Sequence, residues 1–205
     1  MTCKLSTSAP RLILFAGHAG TGKSTLAKRA LPLIVKKTRA DFFFLDKDTV
    51  YGAYSSHVMQ LTTHSPNDRD SPYYLENLRD WEYSGLIDIV RENLLLGVNV
   101  ILVGPFSREI QSGKMFSPTA LGIPPETSIR LAWIDLEEKE AKLRIEQRED
   151  PRDDWKLANW DQYAKRRIEP PEHPAIFRFD NLQFNEERFE KIGRASCRER
   201  VSSPV

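Results

Sequence analysis

The chain has 205 residues, of which 40% are hydrophobic and 29% are charged, a composition typical of one globular domain with a hydrophobic core. Its formal net charge of +1 argues against the strongly basic surface of a nucleic-acid-binding protein, so we expect a small partner and no nucleic acid. No apolar run approaches the roughly 20 residues that a membrane helix needs, and the N-terminus lacks the apolar core of a secretion signal, so we expect a cytoplasmic protein without membrane contact.

The first predicted strand and helix enclose a phosphate-binding loop. Residues 12–16 have the length and branching of a buried strand, and residues 17–24 then fit the P-loop motif G-x-x-x-x-G-K-[ST] at every position. Gly17, Gly20 and Gly22 tolerate positive φ angles and leave room for the backbone to wrap around phosphates. A helical pattern runs on to about residue 31, so we expect the amides of its first turn to point at the β-phosphate.

The P-loop predicts that the chain binds ATP with Mg²⁺. We expect Lys23 to reach the β- and γ-phosphate oxygens, Ser24 to ligate Mg²⁺, and Thr25 to lie near the α-phosphate. The alternative is a glycine-rich turn with a surface lysine, which the strand before the motif and the helix after it disfavour. The predicted nucleotide-binding residues of the loop are Gly17, His18, Ala19, Gly20, Thr21, Gly22, Lys23, Ser24 and Thr25.

A second short strand is predicted over residues 41–45, and two acids follow it. Its continuous apolar character is typical of a strand that is buried on both faces of a parallel sheet. Asp46 and Asp48 follow at its carboxyl end, which is the edge where open α/β sheets bind ligands. We therefore expect these two acids to take part in the chemistry.

Strands and helices continue to alternate along the rest of the chain. Ser71 and Pro72 predict the N-cap and the first residue of a long amphipathic helix that Gly97 closes. The other predicted elements are a helix over residues 50–61, a third strand over 98–103, a flexible segment over 107–126, a fourth strand over 128–135, a charged helix over 137–148, a break in regular structure over 150–155 and a fifth strand over 175–179. This alternation predicts an α/β fold with a parallel sheet and right-handed crossovers.

The order of these motifs resembles that of the small P-loop kinases, among them shikimate kinase, gluconate kinase, chloramphenicol phosphotransferase and the zeta-toxin kinases. The resemblance covers about residues 11–184 and implies a three-layer α/β/α P-loop NTPase fold whose five-stranded parallel sheet has the strand order 2-3-1-4-5. Residues 45–50, 103–108 and 151–157 are also similar to uncharacterised bacterial ATP-binding proteins that are often labelled AAA-family ATPases. The resemblance implies ATP handling and leaves the acceptor open.

Phosphoryl transfer depends on charge neutralisation and alignment more than on covalent chemistry. In similar kinases with a D-x-D at this place, the first acid helps to hold Mg²⁺ and the second contacts the acceptor hydroxyl, which assigns these roles to Asp46 and Asp48. The alternative for Asp48 is ordinary helix N-capping. Gly104 ends the third strand where many P-loop NTPases have an acid, which weakens a motor or AAA+ ATPase interpretation and leaves Mg²⁺ to Ser24 and Asp46.

The resemblance also implies mobile arginines above the site. Arg144 and Arg148 lie one helical turn apart and share a face, at the place where such kinases carry lid arginines. The alternative is a solvated helix in which these arginines pair with Glu140 and Glu149. Pro151 stops the helix where a lid must hinge, which favours the lid interpretation.

We therefore expect an ATP-dependent kinase that transfers the γ-phosphoryl group to the hydroxyl of an unknown small molecule. The predicted catalytic residues are Lys23, Asp48, Arg144 and Arg148, and the predicted metal ligands are Ser24 and Asp46. Asn181 follows the last strand and resembles the adenine-side loop of these kinases, with a plain turn as the alternative. The alternatives to this function are a nucleoside or nucleotide kinase and an ATP-binding regulatory module with little turnover.

The C-terminal end of the chain differs in character from the rest. Residues 192–201 can be back-translated into a nucleotide sequence that resembles a common short-read sequencing adapter. We therefore expect a P-loop kinase-like domain over residues 11–191 and a non-native tail over residues 192–205. Without the tail only Cys3 remains, which rules out an internal disulfide and fits a reducing compartment.

Overall fold

The computed structural model describes residues 9–182, and the predicted tail over residues 192–205 lies outside them. The strands are β1 (Arg11–Ala16), β2 (Phe42–Asp46), β3 (Asn99–Val103), β4 (Ser128–Asp135) and β5 (Ile176–Asp180). The α-helices are α1 (Lys23–Thr38), α2 (Lys47–Thr63), α3 (Pro72–Asn77), α4 (Arg79–Leu95), α5 (Ser107–Gln111), α6 (Pro118–Leu121), α7 (Glu138–Gln147), α8 (Asp154–Ala158) and α9 (Trp160–Ala164). Two short 3-10 helices span Lys114–Phe116 and Pro151–Asp153.

The five strands form one parallel sheet in the order β2-β3-β1-β4-β5, which confirms the predicted strand order. β1 is the central strand, and its Leu12 lies opposite Val100 of β3 and Ile129 of β4. The carboxyl ends of the strands lie along one edge of the sheet because all of them run in the same direction. The P-loop follows the central strand at that edge, which is where ligands bind in open α/β sheets.

The sheet is covered on both faces because successive side chains of a strand point to opposite sides. Leu12 and Leu14 of β1 belong to a core cluster with Leu86 of α4. The intervening Ile13 belongs to a second cluster, with Leu26 of α1. This is the three-layer α/β/α architecture that the resemblance implies. None of the helices within the described residues is long and apolar enough to cross a membrane.

α1 is longer than predicted, since it continues beyond residue 31 to Thr38. Lys36 and Lys37 lie in its last turn, where the negative end of the helix dipole favours cations. Ile34 is 2% exposed and packs in the same cluster as β1, which keeps this polar stretch helical. Tertiary packing therefore extends a helix that the sequence predicts to end earlier.

The long helix predicted before β3 is in fact two helices, α3 and α4, separated at Leu78, whose φ angle is −119°. The Ser71 side chain caps α3 as predicted, by accepting a hydrogen bond from the Tyr74 amide. Tyr74 belongs to a small cluster with Leu78, whereas Leu86 of α4 packs in the cluster beneath the sheet. The two helices therefore bury their apolar sides against different parts of the core.

Three further predictions about single elements are wrong. β2 is an edge strand, so Phe43 is 45% exposed and the strand is not buried on both faces. The segment predicted to be flexible between β3 and β4 contains α5, a 3-10 helix and α6, and it is anchored by Ile110, Met115 and Leu121, which are at most 3% exposed. The predicted break after α7 contains a 3-10 helix followed directly by α8.

Candidate active site

The P-loop connects β1 to α1 at the carboxyl edge of the sheet. Gly17 and Gly20 have φ angles of 149° and 78°, which residues with a side chain rarely adopt. A Cβ atom on Gly17 would lie 2.6 Å from the Ile134 carbonyl oxygen, and one on Gly20 would lie 2.5 Å from the Ala141 carbonyl oxygen. The loop is packed against β4 and α7 so closely that only glycine fits at these two positions.

The two residues predicted to bind phosphate and Mg²⁺ lie in the first turn of α1. The Lys23 ammonium donates a hydrogen bond to the His18 carbonyl oxygen at 3.1 Å. Burial lowers the pKa of Lys23 to about 8, against the opposing effect of the Asp48 carboxylate. Lys23 and Ser24 both line the cavity described next, whereas Thr25 is exposed.

A cavity of about 440 Å³ opens at the carboxyl ends of β1, β2 and β3. Its wall includes Lys23 and Ser24 from the P-loop, Asp46 and Asp48 from the end of β2, and Gly104 from the end of β3. In total, ten basic and four acidic residues line it. Such an excess of positive side chains suits a phosphate-bearing ligand.

The two predicted acids have different surroundings. The Asp46 carboxylate accepts a hydrogen bond from the Asp48 amide at 2.9 Å, so Asp46 and not Asp48 caps α2. The capping alternative for Asp48 is therefore wrong. The Asp48 carboxylate lies 3.6 Å from the Lys47 ammonium and 4.0 Å from the Arg152 guanidinium. Removal from bulk water works to raise the pKa of Asp48, but neighbouring cations, Lys47 foremost, lower it overall.

A buried polar network adjoins Asp48. The Lys47 ammonium lies 2.8 Å from the Glu82 carboxylate and donates a hydrogen bond to the Tyr74 hydroxyl at 3.0 Å. The Tyr74 hydroxyl donates in turn to Glu82 at 2.6 Å, and the Ser55 hydroxyl also donates to Glu82. Glu82 is 2% exposed, so its charge depends on these partners. The network fixes the position of Lys47 and, through it, the charge next to Asp48.

Glu82 is missing from the predicted site residues, although the sequence contains a signal for it. It stands four residues after Leu78 and four before Leu86, on the apolar side of the predicted helix. A carboxylate at such a position is buried, and a buried carboxylate needs a cationic or hydrogen-bonding partner. The partner itself, Lys47, lies 35 positions earlier in the chain, so spacing alone does not identify it.

Two more arginines line the side of the cavity away from the P-loop. Arg79 donates two hydrogen bonds to the Glu109 carboxylate, at 2.5 and 2.8 Å, and its guanidinium lies 3.8 Å from the centre of the Tyr83 ring. Arg108 is more exposed and lies 3.1 Å from the Asp80 carboxylate. Arg79 is therefore held as part of the wall, while Arg108 is open to a ligand.

We call residues 148–168 the lid segment, because they follow α7 and eight of them border the cavity. Arg148 donates to the Asp153 carboxylate at 2.6 Å, and the Lys156 ammonium lies 3.0 Å from the same group. Lys156 also lies 2.7 Å from Asp70, which belongs to the loop between α2 and α3. This chain of charges ties the lid segment to a loop on the other side of the cavity.

Only one of the two predicted catalytic arginines borders the cavity. Arg148 lines it, whereas Arg144 does not and instead pairs with Glu140 on the surface of α7 at 3.0 Å. The helix ends at Gln147, and Arg148 is its C-cap, whose amide still donates to the Arg144 carbonyl oxygen. The carboxylate partner of Arg148 is Asp153 rather than a neighbour on the helix.

The far end of the lid segment lies directly against the P-loop. The His18 Nε2 atom lies 3.1 Å from the Ile168 amide nitrogen and 3.0 Å from the Ile168 carbonyl oxygen, and the His18 ring packs edge-on against Trp133. The Ala19 amide donates a hydrogen bond to the Tyr163 hydroxyl at 3.0 Å. Tyr163 is not among the site residues that the sequence indicates, and no local pattern links it to a loop so far away.

Asn181 contacts the P-loop at a place that does not border the cavity. Its side-chain amide donates a hydrogen bond to the Thr21 carbonyl oxygen at 2.7 Å, and its backbone amide donates to the Asp135 carbonyl oxygen at 3.0 Å. A Cβ atom on Gly22 would lie 2.6 Å from the Asn181 amide nitrogen. Asn181 therefore braces the loop, and its place on the adenine side stays a prediction.

The chain is similar to known proteins in both sequence and structure. Residues 12–171 match a family described as an AAA domain, and this match covers well over half of the chain. The chain belongs to this AAA domain family. Among curated proteins, none matches the sequence.

Several solved kinase structures are similar to this AAA domain. A sugar kinase from a Janibacter species is 18% identical, with a TM-score of 0.56, and the match covers 91% of this chain and 92% of that one. An APS kinase from Mycobacterium tuberculosis, in complex with AMPPNP and APS, is 15% identical, with a TM-score of 0.57 and coverage of 90% and 96%. A gluconokinase from Sinorhizobium meliloti is 12% identical, with a TM-score of 0.54 and coverage of 92% and 89%. At these identities the similarity shows the P-loop kinase fold alone.

Gly104 directly follows the third strand of this AAA domain, at the position where many P-loop NTPases have an acid. The Gly104 amide donates to the Phe15 carbonyl oxygen at 3.2 Å, which continues the pairing of β3 with β1. A Cβ atom on Gly104 would lie 2.7 Å from the ring of Phe106, which is fully buried. Any side chain at this position would displace that ring, so the cavity floor has no acid here.

Proposed function

We propose that this protein is an ATP-dependent kinase that transfers the γ-phosphoryl group to a hydroxyl of a small molecule. The observation that supports the proposal is that Lys23, Ser24 and Asp48 line one cavity. A nucleotide held by the P-loop would present its terminal phosphate to an acceptor beside Asp48. The cavity volume of about 440 Å³ is also typical of small-molecule sites.

In this proposal the P-loop amides, the start of α1 and the Lys23 ammonium bind the phosphates of ATP. Ser24 and Asp46 would hold Mg²⁺, and both border the cavity. Within residues 9–182 no group of three or more His, Cys, Asp or Glu side chains is arranged to hold a metal ion. One serine hydroxyl and one carboxylate fit Mg²⁺, which usually takes one or two carboxylates and completes its shell with phosphates and water. Bound Mg²⁺ neutralises charge on the phosphates.

Asp48 is proposed to accept a hydrogen bond from the acceptor hydroxyl and to orient it in line with the γ-phosphate. The hydroxyl oxygen forms a bond to the γ-phosphorus, the bond from that phosphorus to the β–γ bridging oxygen breaks, and ADP leaves. The hydroxyl proton passes to Asp48 late in a loose transition state. The lowered pKa of Asp48 keeps its carboxylate ionised, as an acceptor of this hydrogen bond must be.

Among the predicted lid arginines, Arg148 is the one that we assign to the reaction, since it borders the cavity. Arg144 is left out of the catalytic set because it does not border the cavity. Asn181 is proposed to act on the nucleotide only through the P-loop carbonyl of Thr21 that it holds.

A screen of metabolite mixtures tests the proposal. We expect the protein, given Mg·ATP, to produce at least one phosphorylated small molecule, and we expect Lys23→Ala to remove most of this activity because it removes charge neutralisation at the phosphates. Products are identified by mass spectrometry against reactions without protein. ATP binding without any phosphorylated product would contradict the proposal and favour an ATP-binding regulatory module.

A further inference from the structure

Most of the basic side chains around the cavity are paired with carboxylates of the protein itself. Seven of the ten basic side chains that line it lie within 4.0 Å of a carboxylate. In the part of the chain that the structure describes, three have no carboxylate at that distance: Lys23, Arg69 and Arg167. These three are the cavity cations whose charge no carboxylate of the described residues balances.

Two of the three have evident roles. Lys23 is the P-loop lysine. Both terminal nitrogens of the Arg69 guanidinium have acceptors within the protein. These are the backbone carbonyl oxygens of Pro66, Asp68 and Gly52 and the Ser56 hydroxyl. Arg167 differs from both. It borders the cavity, has no carboxylate within 4.0 Å among the described residues, and makes only part of the hydrogen bonds that its guanidinium can donate.

The Arg167 guanidinium is held on one side only. Its Nη2 atom donates to the Leu136 carbonyl oxygen at 3.0 Å, directly after β4. Its Nη1 atom is buried and has no hydrogen-bond partner among residues 9–182. A buried donor of a charged group without an acceptor is costly. A ligand oxygen at Nη1 would therefore be bound favourably.

Arg167 lies close to the P-loop. The next residue, Ile168, is hydrogen-bonded through its backbone to the His18 ring. The Lys23 ammonium donates to the His18 carbonyl oxygen at 3.1 Å, so Lys23 and the residue that follows Arg167 both contact His18. A phosphate chain on the P-loop would lie within the field of Lys23 and Arg167.

We propose that Arg167 binds the phosphate chain of ATP together with Lys23 and is a catalytic residue of the reaction. This inference rests on the proposed function, since it assigns a further residue to the same site. Because Nη1 is buried in this structure, a local shift of the lid segment is required to bring Nη1 to a phosphate oxygen. The sequence gives no sign of this role, because Arg167 follows no helical face and no recognised motif.

Calorimetric titration of the full chain tests the assignment with two ligands. The first is Mg·ATP and the second is Mg·tripolyphosphate, which has the phosphate chain without base or ribose. We expect Arg167→Gln to bind both ligands about 10- to 100-fold more weakly than the wild type, the range expected for one lost charged hydrogen bond. Arg167→Lys should fall between the two proteins, since an ammonium keeps the charge but not the fork of donors.

Arg178→Gln is the matched control for the loss of one positive charge. Arg178 is exposed, pairs with Asp135 on β4 and does not border the cavity, so its affinity for both ligands should stay within about twofold of the wild type. A loss for Arg178→Gln as large as that for Arg167→Gln would overturn the inference, since it would indicate a general field effect. Wild-type affinity of Arg167→Gln, or a loss for Mg·ATP alone, would also overturn it.

Two further outcomes are decisive. If Arg167→Gln does not fold, Arg167→Lys decides, and equal affinity of this variant and the wild type for tripolyphosphate would contradict the inference. A wild-type protein that binds neither ligand would overturn the proposed function, and the role of Arg167 with it. Normal phosphoryl transfer by the wild type together with unchanged binding by Arg167→Gln would contradict only the role of Arg167.

Discussion

Asp46 and Asp48, at the end of β2, make different contacts and are proposed to have different roles. The Asp46 carboxylate caps α2 by accepting the Asp48 amide, and both residues border the cavity. Asp48 makes no cap and instead lies near the cations Lys47 and Arg152. Replacement by asparagine keeps the shape of either side chain, and asparagine caps a helix as well as aspartate does. The two substitutions should therefore leave the fold intact and affect different steps.

We expect Asp48→Asn to lower phosphoryl transfer by about 10² to 10⁴, the usual range for losing a general base, while ATP affinity stays within about twofold. Asp46→Asn should weaken metal attraction, so its defect should lessen as Mg²⁺ is raised and should also appear in ATP hydrolysis without acceptor. Calorimetry and a transfer assay across a Mg²⁺ titration measure both effects. Normal phosphoryl transfer by Asp48→Asn would show that the roles are assigned wrongly. So would a recovery of transfer at high Mg²⁺ that is as complete for Asp48→Asn as for Asp46→Asn.

Lys23 is predicted to lower the stability of the protein without ligand. Its pKa falls from 10.5 to about 8 on folding, so the folded protein binds this proton less tightly than the unfolded chain does. The cost is full below pH 8 and disappears as the pH rises towards 10.5. Lys23→Met should therefore raise the free energy of unfolding at pH 7 by at most about 3 kcal/mol. Denaturant unfolding at pH 7 and pH 10 measures this, and a variant less stable than the wild type at pH 7 would contradict it.

At this scale the sequence predicted the loop residues, the two acids after β2 and Arg148, all of them close to a motif, and missed residues that follow no motif. Lys23 and Ser24 follow from one contiguous motif, because phosphate wrapping needs a fixed order of neighbouring residues. Glu82, Tyr163 and Arg167 contact distant parts of the chain, as the bond between the Ala19 amide and the Tyr163 hydroxyl shows. No spacing rule relates such residues, so they are found only once the chain is folded.

At the scale of elements, the lid segment is the part that connects the two sides of the cavity. Its end is bonded to the P-loop through His18 and Tyr163, and its middle is bonded to the loop after α2 through Asp70 and Lys156. Asp70 and Lys156 are 9% and 8% exposed, so their attraction is little screened by water. We expect this pair to govern how often α8 and α9 open.

Asp70→Asn should speed amide hydrogen exchange in α8 and α9 and leave exchange in β1 and β4 unchanged. Loss of the only partner of a buried charge costs about 3–5 kcal/mol. The effect of Asp70→Asn should be smaller than this, because Asp153 remains 3.0 Å from the Lys156 ammonium. Glu140→Gln is the control, since the surface pair of Glu140 with Arg144 contributes at most about 1 kcal/mol. Unchanged exchange in α8 and α9 of Asp70→Asn would mean that this pair does not hold the lid segment.

Strands were predictable from short, mostly apolar runs, whereas helices were unpredictable where their packing changed direction. All five strands are short and mostly apolar, and their predicted bounds agree with the structure to within a residue. The division between α3 and α4 was missed because the spacing of apolar residues indicates which side of a helix is buried. It does not indicate where the helix is interrupted. The helices between β3 and β4 were missed because Ile110, Met115 and Leu121 are apolar anchors without a regular period.

At the scale of the whole molecule, the strand order determines the distance between the nucleotide and the acceptor acid. β3 lies between β1 and β2, so the P-loop and Asp48 follow strands that are about 10 Å apart. Gly104 keeps the floor between them free of a side chain. A terminal phosphate and an attacking hydroxyl fit in this space. Alternation of strands and helices predicts a parallel sheet, but only the resemblance to P-loop kinases predicted this order.

The fate of the γ-phosphate shows whether the protein is a kinase. ATP labelled in its γ-phosphate is incubated with Mg²⁺, a metabolite fraction and either the wild type or Asp48→Asn, and the label is traced to its final molecule. We predict that the wild type moves the label to a small hydroxyl compound and that Asp48→Asn binds ATP but leaves the label on it. Label released only as inorganic phosphate, at the same rate by both proteins, would contradict a kinase in which Asp48 is the acceptor base.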